Sequence, residues 1–168
     1  FITFNSTAGS YTLAANAGSA GASGGTALTV KGDIINNSTN AQTINMDLVL
    51  GATSTGIVNT ASGNITIGGA ISGPGGLTKQ GNSTLTLSGA NTYVGDTTVS
   101  AGTLALGANQ TLGTISGAGN IALGSFNLTT NSSISTTLSG VISGTGGLTK
   151  NGTGTLTISG ANTFNGTT

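Results

Sequence analysis

The sequence predicts an all-β chain wound as a β-solenoid, a single elongated domain with essentially no helix. Three observations carry this expectation: short runs in which apolar and small polar residues alternate, turn-forming Gly, Asn and Ser between the runs, and a long stretch that occurs twice. Of 168 residues, 32 are Thr, 19 Ser, 17 Asn and 31 Gly. Thr, Ser, Asn and Gly all disfavour helix interiors, and the helix formers Glu and Arg are absent. The hydrophobic fraction of 35%, with zero net charge and a single Pro, separates the chain from disordered polypeptides, which pair low hydrophobicity with high charge.

The alternating runs come in order along the chain. Gln42-Thr43-Ile44-Asn45-Met46-Asp47-Leu48-Val49-Leu50 is the longest. Thr84-Leu85-Thr86-Leu87, Thr103-Leu104-Ala105-Leu106 and Thr155-Leu156-Thr157-Ile158 follow. A period of two places every second side chain on one sheet face, so each run reads as a half-buried strand. Residues 71–97 and 142–168 are near-copies at an offset of 71, with 19 of 27 positions identical. A partial third copy opens at Ile115-Ser116-Gly117-Ala118-Gly119. The three Ile-Ser-Gly-x-Gly marks, at 71, 115 and 142, are 44 and 27 residues apart, which suggests a coil of about 20 to 27 residues used once or twice between marks. In such a coil each strand pairs in parallel with its equivalent in the next, Gly and Asn turn the corners, and stacked Asn and Thr form hydrogen-bonded ladders. An antiparallel sandwich also supplies many short strands but does not predict a repeat.

Composition excludes much chemistry. Without Cys or His there is no disulfide, no zinc site with those ligands and no Ser-His-Asp triad. The six charges are Lys31, Lys79, Lys150, Asp33, Asp47 and Asp96, and three scattered Lys make no basic stripe for nucleic acid. No apolar run approaches the ~20 residues of a membrane-spanning helix. The expectation is therefore a non-enzyme with no cofactor, no metal, no nucleic-acid partner and no direct membrane insertion. The pattern breaks off inside a copy at Thr168, which reads as one segment of a longer chain.

Individual residues have competing readings. Asp33, Asp47 and Asp96 are the three carboxylates, and a pair on neighbouring coils would suit glycan cleavage or Ca²⁺; the simpler reading is turn carboxylates satisfied by nearby N–H groups. Lys79 and Lys150 share a repeat position and read as outward charges that keep a strand face soluble, rather than as a glycan-binding mark. Tyr93 and Phe164 are also equivalent and read as packing residues rather than a sugar platform. Thr-x-Thr pairs start at Thr53, Thr84 and Thr155 without a constant short period, which argues against an ice-binding array. Asn-x-Ser/Thr triplets such as those at Asn5, Asn82 and Asn131 follow from composition, and Gly73-Pro74-Gly75-Gly76 reads as a turn.

Gly76-Leu77-Thr78-Lys79, Gly81, Thr84-Leu85-Thr86-Leu87-Ser88-Gly89, Asn91-Thr92-Tyr93, Gly95, Thr97, Val99 and Gly102-Thr103-Leu104 resemble the autotransporter-associated β-strand repeat, also called the passenger-associated transport repeat. The resemblance covers 71–106 and 142–168, with Ser83 standing where the second copy has Gly154. It makes Gly76, Leu77, Lys79, Leu85, Asn91 and Tyr93, and their equivalents Gly147, Leu148, Lys150, Leu156, Asn162 and Phe164, the structural positions of the repeat. It implies a right-handed parallel β-helix in a secreted bacterial surface protein, where such repeats hold functional regions away from the cell and assist export and folding. The absence of Cys agrees independently, since a chain crossing an oxidising compartment unfolded gains by avoiding disulfides. The expected role is a rigid extracellular stalk or scaffold. The alternatives are a fibre subunit stacking through its solenoid ends, and an adhesin that binds a surface glycan or host partner.

Overall fold

The computed structural model describes residues 1–14, 27–52, 55–59 and 62–168. No helix occurs among them, and every paired strand is parallel to its neighbour. That pairing excludes the sandwich and makes the chain a parallel β-solenoid.

The strands visit three faces in rotation. Face 1 holds β1 (Ile2–Phe4), β4 (Ile34–Asn36), β7 (Thr55–Asn59), β10 (Gly76–Gln80), β12 (Thr97–Val99) and β15 (Ile115–Ser116). A Gly117–Leu138 bridge carries it on into β18 (Thr136–Leu138) and β21 (Leu156–Ile158). Face 2 holds β2 (Thr12–Leu13), β5 (Gln42–Ile44), β8 (Ile65–Ile67), β11 (Thr84–Leu87), β13 (Thr103–Leu106), β16 (Asn120–Gly124) and β19 (Ile142–Gly144). Face 3 starts with β3 (Leu28–Val30), β6 (Leu48–Leu50) and β9 (Ile71–Ser72) and resumes with β14 (Gln110–Leu112), β17 (Leu128–Asn131) and β20 (Leu148–Asn151). Residues 91–93 join the two halves of face 3: the Thr92 amide donates to the Ile71 carbonyl at 2.8 Å, and Asn91 Nδ2 donates to Gln110 Oε1 at 2.9 Å.

The period-two pattern is the reason this winding buries a core. On face 2, Ile65 and Ile67, then Leu85 and Leu87, then Leu104 and Leu106 point inward in register, while Thr66, Thr86 and Ala105 between them point out. Half of each strand can thus be polar without placing a polar group inside, and each inward Leu or Ile contributes about 1.5–3 kcal/mol by burial.

The register corrects the expected coil. Turns after the first span 17 residues where Leu104 pairs with Ile121 and up to 24 where Ile34 pairs with Val58. The marks are not whole turns apart, because Ile71 lies on face 3, Ile115 on face 1 and Ile142 on face 2. The corner after each mark is nevertheless the same. Gly73, Gly117 and Gly144 have φ of 105°, 120° and 122°, and a Cβ on any of them would meet a backbone oxygen of the preceding turn within 2.1–2.6 Å. Glycine is required there for both conformation and space. The repeat is therefore a strand–corner unit that fits any of the three faces.

The polar corner residues act differently from the expected side-chain ladders. Their oxygens mostly accept main-chain N–H groups of an adjacent turn. Asn64 Oδ1 takes the Thr84 amide at 2.9 Å, Asn109 Oδ1 that of Asn127 at 2.8 Å, Asn120 Oδ1 that of Val141 at 2.9 Å and Asn127 Oδ1 that of Gly147 at 2.8 Å. Corner amides that no strand can pair are satisfied in this way.

Candidate functional site

The two repeat copies share their asparagine caps and corner contacts. Asn91 Oδ1 accepts the Ile71 amide at 2.8 Å, and Asn162 Oδ1 accepts that of Ile142 at 2.8 Å. Thr92 and Thr163 amides donate to the Ile71 and Ile142 carbonyls, both at 2.8 Å. Gly76 and Gly147 lie at the corners where a Cβ would come within 2.6 Å of the Asp96 carbonyl and 2.7 Å of the Thr167 carbonyl. Leu77, Leu85 and Leu148 are buried, and Leu156 is half-buried. Tyr93 is buried with its hydroxyl 2.8 Å from Thr97 Oγ1, whereas Phe164 is half-buried against the core.

The lysines overturn the expectation of outward charges. Lys79 is 0% exposed and occupies a column with Ile34, Val58 and Val99. Its Nζ donates to the carbonyls of Gln80 at 2.8 Å, Gly81 at 2.7 Å and Ala101 at 3.1 Å. The three N–H donors of an ammonium are thus matched to three acceptors. Lys150, half-buried on face 3, donates to the carbonyls of Asn151, Gly152 and Ser132, the last at 2.9 Å. The sequence contained the signal: Leu77 faces inward, and a period of two carries Lys79 inward with it. Burial pushes the Lys79 amine down from 10.5 to about 8, while the three carbonyls, with their negative ends on the nitrogen, favour the ammonium. Burial raises the Tyr93 hydroxyl from 10.0 to about 12, with the Thr97 hydrogen bond acting the other way.

Three further buried side chains, not singled out in the sequence, fill other corners. Asn36 Nδ2 donates to the carbonyls of Asn40 at 2.9 Å and Asn64 at 3.2 Å. Gln42 Nε2 donates to Gly9 at 2.8 Å and Asn40 at 3.2 Å, and Gln110 Nε2 donates to Gly89 at 3.0 Å. Gln110 was legible by the same parity, two residues before inward Leu112.

The carboxylates are dispersed: Asp47 precedes β6 on face 3, and Asp33 and Asp96 precede β4 and β12 on face 1 with β7 and β10 between them. Asp47 Oδ1 accepts the Ala70 amide at 2.8 Å, a corner cap like those of Asn. Asp33 and Asp96 use their main-chain carbonyls to accept the Ile2 and Leu77 amides at 2.9 and 2.8 Å. Among the described residues no group of three or more His, Cys, Asp or Glu could hold a metal. Of the Thr-x-Thr pairs, Thr53 lies outside the described residues, Thr84 is on face 2 and Thr155 precedes β21 on face 1, so Thr84 and Thr155 share no plane. A concavity of about 370 Å³ on face 3 is lined by exposed Val94, Gly113 and Asn131 among others.

Comparison with known proteins accords with this geometry. A family model described as the passenger-associated-transport-repeat matches residues 77–106 and 148–168. Over 66 residues the chain is 44% identical to "Adhesin BmaC autotransporter" of Brucella suis biovar 1 (strain 1330), an alignment covering 39% of this chain. That alignment spans only 2% of the length of the relative. No solved structure matches the chain. These matches make two segments of the chain, residues 77–106 and 148–168, similar to the passenger-associated transport repeat.

Proposed function

We propose that this chain is a non-enzymatic rod segment of a secreted bacterial surface passenger, where it acts as a stalk or scaffold. The observation that carries the reading is the unit itself: a strand–corner module that keeps its glycine geometry on all three faces and its Asn cap on two of them, and devotes its buried polar groups mostly to main-chain satisfaction. Such a module can be added indefinitely to lengthen a rod, with each turn adding ~4.8 Å. An export-assisting role follows the same logic, because each emerging turn finds a ready template in the previous one. Small-angle scattering on chains of increasing repeat number tests the stalk: the maximum dimension should grow linearly at constant cross-section, and a compact, non-linear increase rejects it.

The name of the matched relative favours an adhesive role as a second reading. Its structural support is the concavity lined by Val94 and Asn131. A glycan array probed with the chain and with Val94→Asp decides it, since an adhesive groove predicts binding that the variant loses.

A further inference from the structure

Lys79 is buried and Lys150 half-buried, and their surroundings are unusual for a lysine. Lys79 Nζ touches main-chain oxygens from two successive turns, Gln80 and Gly81 in its own and Ala101 in the next, at distances of 2.8, 2.7 and 3.1 Å that suit a potassium-sized cation as well as an ammonium. The pocket is built around this charge. Gly102 has φ 65°, and a Cβ there would lie 2.5 Å from the carbonyl oxygens of Gly81 and Ser83 and 2.8 Å from Nζ itself. Lys150 repeats the arrangement on another face, again bridging two turns, with Asn151 and Gly152 in its own turn and Ser132 in the one before. Where no lysine stands, Asn36, Gln42 and Gln110 place a neutral amide nitrogen against corner carbonyls.

We propose that the corner carbonyls of the repeat form a monovalent-cation nest that fastens one turn to the next, with the lysine ammonium as its covalently tethered occupant. The solenoid then needs no dissolved metal to bind its turns together, because every lysine-bearing repeat brings its own cation.

The test is chemical rescue in the 168-residue chain. Lys79→Met keeps most of the aliphatic stem and leaves the Nζ position vacant. Its Tm should fall below wild type and then recover by about 2–4 °C with added ammonium or potassium chloride, saturably. Tetramethylammonium chloride at equal ionic strength is too large for the nest and should give no recovery, and wild type should respond to none of the three. Equal recovery with all three salts, or with none, overturns the proposal. Should Lys79→Met fail to fold, Lys150→Met carries the same test on the half-buried nest, and the same salt selectivity or its absence decides the outcome.

Discussion

The two repeat copies share 19 of 27 residues, the same caps at the same distances and the same glycine corners, yet they differ in depth. In the first, Lys79, Leu85 and Tyr93 are wholly buried; in the second, Lys150, Leu156 and Phe164 are half-buried. The difference lies in what stacks on each. The first copy is covered by β12 and β13, whereas β20 and β21 have a strand partner on one side only. Local sequence is enough to set backbone conformation and caps. Burial, and with it most of the energy at stake in any one side chain, comes from the turn above. Equivalent substitutions in the two copies should therefore have unequal costs, and the inequality can be measured.

The largest contrast is expected at the lysines. Lys79→Met takes the ammonium from the carbonyls of Gln80, Gly81 and Ala101 and should cost about 3–5 kcal/mol in urea unfolding, against about 1–2 for Lys150→Met, where water reaches the nest. Equal costs would mean that stacking does not set the energetics. The asparagines should come next. Asn91→Ala removes the acceptor for Ile71 and the donor to Gln110 and should cost about 2–3 kcal/mol, whereas Asn162→Ala, with one bond at stake, should cost about 1. Amide exchange sharpens this: the Ile71 and Ile142 amides should each lose protection in their own variant and not in the other.

The pH dependence of Lys79 and Tyr93 should have a smaller effect. Lys79, with a folded value of about 8 below its ordinary 10.5, contributes stability that is present above pH 10.5 and is lost as pH falls through 8. Tyr93, raised to about 12 from 10.0, contributes stability that is present below pH 10 and is lost as pH rises through 12. Together they predict a stability maximum near pH 10. Lys79→Met should abolish the rise toward it and Tyr93→Phe the fall beyond it, as read from urea midpoints across pH 7–12. Tyr93→Phe at neutral pH should cost about 1 kcal/mol for the bond to Thr97. The reverse change, Phe164→Tyr, should be near neutral because the half-buried position lets the new hydroxyl reach water.

Much of this was legible in advance. Parity in runs such as Thr84–Leu87 told which residues face inward, and the recurrence at residue 142 told that a common unit is reused. At the lysines charge and parity point in opposite directions, and parity prevails. A buried lysine is costly in general. Here corner carbonyls from two turns meet the ammonium, and one of them, Ala101, lies 22 residues beyond Lys79. The spacing of marks does not give the coil length for a related reason: it measures strand–corner steps, and converting steps to turns needs the number of faces.

The amino-acid sequence by itself determined that this chain is all strand and corner, which side of each strand is apolar, and where glycine must turn the backbone, because these follow from steric and period-two rules within a few residues. Only the tertiary structure decided that three faces close a turn, that successive copies advance around the axis by fractions of it, and that Lys79 lies at the centre of a carbonyl nest. Those depend on which main-chain groups arrive from the neighbouring turn, 17 to 24 residues away, and no local pattern encodes that meeting.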